Sequence, residues 1–326
     1  MSTGWTAADV PEQTGRTIVV TGANSGLGRV ATRVLAERGA TVVMACRSVE
    51  RGEEAAAELR ARGGLAGELS VEHCDLADLE SVASFADLIE AEYDGVDVLC
   101  NNAGLMAIPR RETEDGFETQ FGVNHLGHFA LTGHLLDALR ESDGESRVVT
   151  QSSGLHERGT MNFDDLHGEA EYDRWDAYAQ SKLANVLFAY ELQRRLDAAS
   201  EEGIASLACH PGYAATNLQS RANREAGGPI GAVMTKVANV VVAQSADRGA
   251  LPMLYAATAP AAEGGAYYGP GGFMNMRGLP AEQSSSDRSY DETTARRLWD
   301  VSTDLTGVAY DLPAPGETGD AASTGE

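Results

Sequence analysis

The residues with most chemistry to offer are a tyrosine and a lysine four positions apart, in Tyr178-Ala179-Gln180-Ser181-Lys182. On a helix, positions i and i+4 share a face, so the phenol and the ammonium can address one point. A phenol with an ordinary pKa near ~10 is a poor base at neutral pH, but an adjacent cation stabilises its anion, about 1.4 kcal/mol for each unit lowered. Such a pair alone is common on helix surfaces, and its weight comes from company. Of 25 lysines and arginines together only two are lysine, Lys182 and Lys236, which suggests that a compact ammonium is required at 182. Ser152 and Ser153 precede the pair at the end of an apolar run.

A second constellation lies near the amino terminus. Thr21-Gly22-Ala23-Asn24-Ser25-Gly26-Leu27-Gly28 follows a short apolar run and opens an apolar-periodic helix. Glycines there permit a tight turn, let backbone N–H groups approach a pyrophosphate, and allow close helix–strand packing. After the next apolar run comes Ala45-Cys46-Arg47-Ser48, where a dinucleotide site that prefers NAD usually carries an acid for the ribose 2′-hydroxyl. Arg47 instead offers a guanidinium fork to a 2′-phosphate, which favours NADP(H) over NAD(H). Asn101-Asn102-Ala103-Gly104 ends a later run, at the edge where cofactors bind in open sheets; the amides alternatively stabilise only a turn. Asp75 ends another and has two readings, receiver of the adenine amino group or cap of the helix that follows.

These residues require a frame. Short apolar runs alternate with amphipathic stretches, the pattern of β-α-β units in an α/β, doubly wound parallel sheet of the Rossmann type. Strands are predicted at Thr17 to Thr21, Thr41 to Ala45, Glu68 to His73, Asp97 to Asn101, Arg147 to Gln151 and Ile204 to Cys209. Helices are predicted at Gly26 to Arg38, Glu50 to Arg62, Leu79 to Glu92, Glu114 to Arg140 and Trp175 to Ala199. The expected division is an extension over residues 1–14, one domain over 15–310 and a disordered acidic tail over 311–326. Gly-rich polar pieces at 221–231 and 263–272 flank two helical segments, near Ile230 to Val242 and Ser245 to Ala257. The first has an apolar face that either covers a substrate pocket, within a covering segment of about 213–245, or is ordinary core.

Composition narrows the function. With 326 residues, 43% of them hydrophobic, the chain can bury a sizeable core. Its 49 acids against 25 bases give a formal charge of -24, which repels nucleic acid and resembles the surfaces of salt-accumulating organisms. No run approaches a membrane span and no basic-then-apolar leader opens the chain, so a cytoplasmic location is expected. The four cysteines lack metal or disulfide spacing and read as small buried residues. His125 and His128, three apart, find no third ligand at matching spacing, so no metal is expected.

Taken together, the chain resembles the short-chain dehydrogenase/reductase family over roughly residues 15 to 310, through Thr21 to Gly28, Asn101 to Gly104 and Tyr178 to Lys182. Within it, Cys46-Arg47, the run Tyr178 to Phe188, Gly265 to Gly269 and Arg297-Leu298-Trp299 are similar to the retinol dehydrogenase and protochlorophyllide reductase-like branch. The resemblance implies an NADP(H)-dependent exchange of hydride with a carbonyl or alcohol, in which Tyr178 moves the proton and Lys182 holds the nicotinamide ribose and lowers the phenol's pKa. It further implies that Ser153, or Ser152 as runner-up, orients the carbonyl, and that Asn124 anchors a proton-relay water. Pro211 and Gly212 would line the nicotinamide, with Thr216 on its carboxamide. His156 to Trp175 is inserted between Ser153 and Tyr178, an insertion that branch shares. A small lipophilic substrate fits Trp175 and Tyr213, and homo-oligomers occur in the family. Two other readings stand beside this one, a catalytically idle NADP-binding sensor and a sugar-nucleotide epimerase; the first would fit a lost tyrosine, lysine or serine, and all three are present.

Overall fold

In a computed structural model, which describes residues 4–212, 245–272 and 275–316, the strands follow the predicted runs closely. They are β1 (Thr17–Thr21), β2 (Thr41–Cys46), β3 (Leu69–His73), β4 (Val98–Asn101), β5 (Ser146–Gln151) and β6 (Ile204–Cys209). All pair in parallel, and two further strands extend the sheet: β7 (Tyr267–Pro270), parallel to β6, and β8 (Pro280–Glu282), antiparallel to β7. The order is β3-β2-β1-β4-β5-β6-β7-β8. The order changes direction between β1 and β4, and there a crevice opens at the carboxyl ends of the strands. Among the described residues the expected six strands are thus eight. Part of the stretch 263–272, read as a Gly-rich polar piece, is β7, whose Tyr267 and Tyr268 are buried.

The helices α1 (Gly26–Glu37), α2 (Val49–Arg62) and α3 (Leu79–Glu92) start on caps or turns that the sequence carries. Asp78, not Asp75, caps α3, accepting from Glu80 N and Ser81 N at 3.0 and 3.3 Å. The single helix expected over Glu114 to Arg140 is four pieces: α4 (Thr119–Phe121), a π turn over Gly122–Leu126, α5 (Gly127–His134) and α6 (Leu136–Arg140). Helix α7 (Arg174–Ala199) begins at Asp173, whose carboxylate accepts from Trp175 N at 2.7 Å and Asp176 N at 3.0 Å.

One apolar layer sits on each face of the sheet. Val20, Met44, Cys46, Val149 and Cys209 face α1, α2 and the helix Leu251–Thr258. Val19, Val43, Leu99 and Val148 face α3, α5 and α7. Residues before β1 belong to this body: Val10 and Gln13 are buried and Trp5 meets Tyr255 edge-on. Leu312 is also buried, and the remainder of the expected tail from residue 317 lies outside the described residues. So does the expected covering segment up to residue 244, with Tyr213 and Thr216 in it. Among the described residues no helix is long and apolar enough to cross a membrane.

Candidate active site

The turn after β1 is built from close approaches. Gly22 has φ +65°, and a Cβ on Gly28 would lie 2.6 Å from the Gly22 carbonyl oxygen and 2.6 Å from Asn102 Nδ2, so no side chain fits there. Asn102 Nδ2 donates to the Thr21 carbonyl at 2.7 Å, and the backbone N–H groups of Asn102 and Ala103 both donate to Thr21 Oγ1 at 2.9 Å. The stretch after β4 therefore clamps the Gly-rich turn in place. Asn101 turns the other way and donates to Thr132 Oγ1, so of the two amides Asn102 alone shapes this crevice.

That crevice is a cavity of about 920 Å³. At one end it is lined by Arg47, Ser48, Arg51 and Asp75, along its floor by Gly22, Asn24, Ser25, Gly26 and Leu27, then by Asn102, Ala103 and Gly104. At the other end stand Ser152, Ser153, Tyr178, Lys182, Pro211 and Gly212. Gly28 and Asn124 are not in the lining and support it from behind. Arg51, in the first turn of α2 just after Arg47 and the Ser48 cap, escaped the sequence reading. Neither arginine enters an ion pair among the described residues, so both can meet an anion, although Glu54 and Glu58 stand on the same wall. Asp75 turns back on its own loop, accepting from Ala77 N at 3.0 Å.

Tyr178 and Lys182 are both buried on the inner face of α7 and both border the cavity. Ser153 stands near enough to the phenol to lower its pKa, with its Oγ accepting from Leu155 N at 3.2 Å, whereas Ser152 Oγ donates to the Lys182 carbonyl at 2.7 Å. The geometry thus brings Ser153, not its neighbour, to the tyrosine. Burial pushes Tyr178 up to about 12 against the lowering effect of Ser153, and burial pulls Lys182 down to about 8. The expected lowering of the phenol by the ammonium does not appear: Ser153 alone opposes burial at Tyr178, and removal from water costs each charged form more than the surrounding groups return. At neutral pH the phenol carries its proton. Lys182 Nζ donates to the Gln151 carbonyl at 3.0 Å, a carbonyl that also accepts from Asn185 Nδ2.

Asn124 sits in the π turn, a helix irregularity often found at functional sites. Its side chain grips Leu105 from both sides, accepting from Leu105 N at 2.7 Å and donating to Leu105 O at 2.9 Å, and it also donates to Ser181 Oγ. Its backbone carbonyl meets His128 Nδ1 at 3.1 Å, and His128 Nε2 lies 2.9 Å from Thr21 Oγ1. His125 bonds Ser302 instead, so the two imidazoles serve different partners. Gly104 lies between the asparagine and the lysine: a Cβ there would be 3.1 Å from Asn124 Oδ1 and 3.4 Å from Lys182 Nζ. All four cysteines are buried, and burial raises their thiol pKa values.

The insertion before α7 is anchored by residues that sequence reasoning missed. Buried Gln120 accepts from Ala107 N at 2.6 Å and donates to Tyr172 Oη and the Arg174 carbonyl at 2.9 and 3.0 Å. Ala107 holds φ +50°, so this bond fixes a backbone conformation that alanine seldom adopts. Next to it, Leu105 and Met106 form the cavity wall together with Leu155 and Trp175, whose indole is 43% exposed at the mouth.

Comparison with known proteins agrees with this arrangement. Residues 16–227 match the family described as short chain dehydrogenase. Retinol dehydrogenase 14 of Homo sapiens is 40% identical over 311 residues, covering 90% of this chain and 87% of that protein. Polyprenol dehydrogenase of Mus musculus is 42% identical, covering 92% and 86% respectively. A crystal structure of an uncharacterised protein from Mycobacterium paratuberculosis superposes with a TM-score of 0.77 at 44% identity, over 95% of this chain and all of that one. The chain belongs to the short-chain dehydrogenase family, in its retinol dehydrogenase branch, and is an oxidoreductase.

Proposed function

We propose that the protein is an NADP(H)-dependent oxidoreductase acting on a lipophilic carbonyl or alcohol, with Tyr178 as general acid and base. The observation that carries this reading is one continuous cavity with two unpaired arginines at one end and Tyr178, Ser153 and Lys182 at the other. The residues present fit the dinucleotide: a Gly turn too close-packed for any Cβ at position 28 faces the floor, and a guanidinium pair suits a 2′-phosphate. When bound, the dinucleotide supplies or accepts the hydride. Everything else falls to the chain.

In the reducing direction, Tyr178, protonated at neutral pH, donates to the substrate oxygen while Ser153 hydrogen-bonds the same atom. Lys182, buried beside the cavity, holds the nicotinamide ribose and steadies the phenolate left behind. Asn124 keeps Leu105 and Ser181 in place, and the gap beside Gly104 connects it to Lys182 for proton resupply. The opposite direction uses the same groups in reverse. The apolar wall of Leu105, Met106, Leu155 and Trp175 suits a hydrocarbon substrate, as do relatives named for retinol and polyprenol.

The test is turnover of NADPH against a panel of aldehydes and ketones, all-trans-retinal included, in molar KCl. Tyr178→Phe abolishes turnover while NADPH still binds. Undiminished turnover in that variant ends the proposal.

A further inference from the structure

Ser153 is held from behind by an imidazole that the reaction scheme does not use. His156 is buried, at 1% exposure, in the short 3-10 turn Gly154–Arg158 that follows Ser153. Its Nδ1 lies 2.7 Å from the Ser153 carbonyl, and its backbone N–H donates to the same oxygen at 3.0 Å. Its Nε2 accepts from the backbone N–H of Ser286 at 3.0 Å. A backbone N–H can only donate and a carbonyl can only accept, so the bonds fix the ring as the neutral tautomer with its proton on Nδ1. Ser286 lies 130 residues further along, directly before the 3-10 turn Asp287–Tyr290. One imidazole therefore joins the serine turn to the carboxyl-terminal part of the fold.

We infer that His156 is a positioning residue for Ser153, coupling the Ser286 segment to the hydroxyl beside the Tyr178 phenol, and that only its neutral form does so. Resting on the function proposed above, this assigns the residue a role in turnover and not in cofactor binding. A proton added at Nε2 would place two donors face to face, N–H against N–H, and the Ser286 link would open. The groups around the ring set when that happens. Tyr267 of β7 packs edge-on against it at 5.3 Å with its hydroxyl 3.3 Å from Nδ1, His210, just after β6, stacks on Tyr267, and Glu157 follows in the same turn. Arg158 closes the same turn, Arg288 of the Asp287–Tyr290 turn donates to the Gly159 carbonyl at 3.0 Å, and Tyr178 and Lys182 of α7 border the same cavity as Ser153. Burial dominates this set and holds the imidazole below its ordinary value, with Glu157 and the Ser153 carbonyl opposing. The clamp is closed at neutral pH and opens on acidification.

Two variants test the inference, assayed with NADPH and the panel carbonyl that turns over fastest. In His156→Phe the ring volume stays and both bonds go; kcat falls by about tenfold or more while the NADPH dissociation constant, read by fluorescence, stays within about twofold. In His156→Gln an amide N–H and a carbonyl oxygen replace the two ring nitrogens without titrating; kcat at pH 7 is largely kept and the acid limb of the kcat profile disappears. Full kcat in His156→Phe overturns the inference, and so does an acid limb in His156→Gln that matches the wild type. Should His156→Phe not fold, the Gln profile decides alone. Failure here would leave Tyr178→Phe inactive, whereas failure of the proposed function would show in Tyr178→Phe itself.

Discussion

Two side chains at opposite ends of the cavity carry the sharpest consequences at the scale of single residues. Arg47 is exposed, in no ion pair among the described residues and placed beside Arg51, so under the proposed function its loss removes a charge-assisted contact to a 2′-phosphate and nothing of the core. Arg47→Leu is expected to weaken NADPH about tenfold to a hundredfold and to leave NADH unaffected, as read by titration of the two cofactors. Lys182 makes the opposite case, a charge whose burial costs stability. Its pKa falls from 10.5 to about 8, so between those values the unfolded chain holds the extra proton and stability climbs as pH rises through the window. Below about 8 the penalty is constant. Lys182→Met therefore raises Tm at pH 7, with the Gln151 carbonyl still served by Asn185, and abolishes turnover. Thermal melts at pH 7 and pH 10 check it: the gain shrinks at the higher pH. The motif residues Tyr178, Lys182, Arg47 and Asn102 were legible because each occupies a fixed offset from a strand end or along a helix. Arg51, Gln120, Tyr172 and His156 were not. Gln120, Tyr172 and His156 depend on partners well separated along the chain, Arg51 depends only on the turn of the chain into α2, and nothing local distinguishes any of them from surface or core residues.

At the scale of elements, the β1–α1 unit tolerates little change. Gly28 faces the backbone of Gly22 and the amide of Asn102, neither of which can retreat without breaking the Thr21 clamp. Gly28→Ala is expected to lower Tm and to weaken NADPH together, in contrast to Arg47→Leu, which changes affinity alone; paired melts and titrations separate them. Strand and helix positions came readily from apolar periodicity. The π turn did not, since Glu114 to Arg140 reads as one helical stretch and the extra residue per turn at Gly122–Leu126 leaves no mark in that pattern. Strands β7 and β8 were hidden for another reason: each is four residues or fewer, and glycine and proline within or beside them read as loop.

For the whole molecule, the charge of -24 leads us to expect a dependence on salt. Many acids sit on the surface with few basic partners, and their mutual repulsion is screened by salt over a distance of about 3 Å at 1 M against about 10 Å at 0.1 M. Tm and turnover are expected to rise between 0.1 and about 2 M KCl; a flat or falling response would assign the acidity to sequence drift instead. The carboxyl-terminal part of the fold has a consequence for the order of assembly. Helix Glu292–Thr306 packs against α7, and Ser286 reaches the serine turn through His156. Both leave the ribosome after every motif residue of the cavity has emerged, so a nascent chain can build the nucleotide crevice early while its proton-handling end stays unsecured. Under the proposed function, synthesis itself thus separates the moment at which the chain could recognise a dinucleotide from the moment at which it could use one.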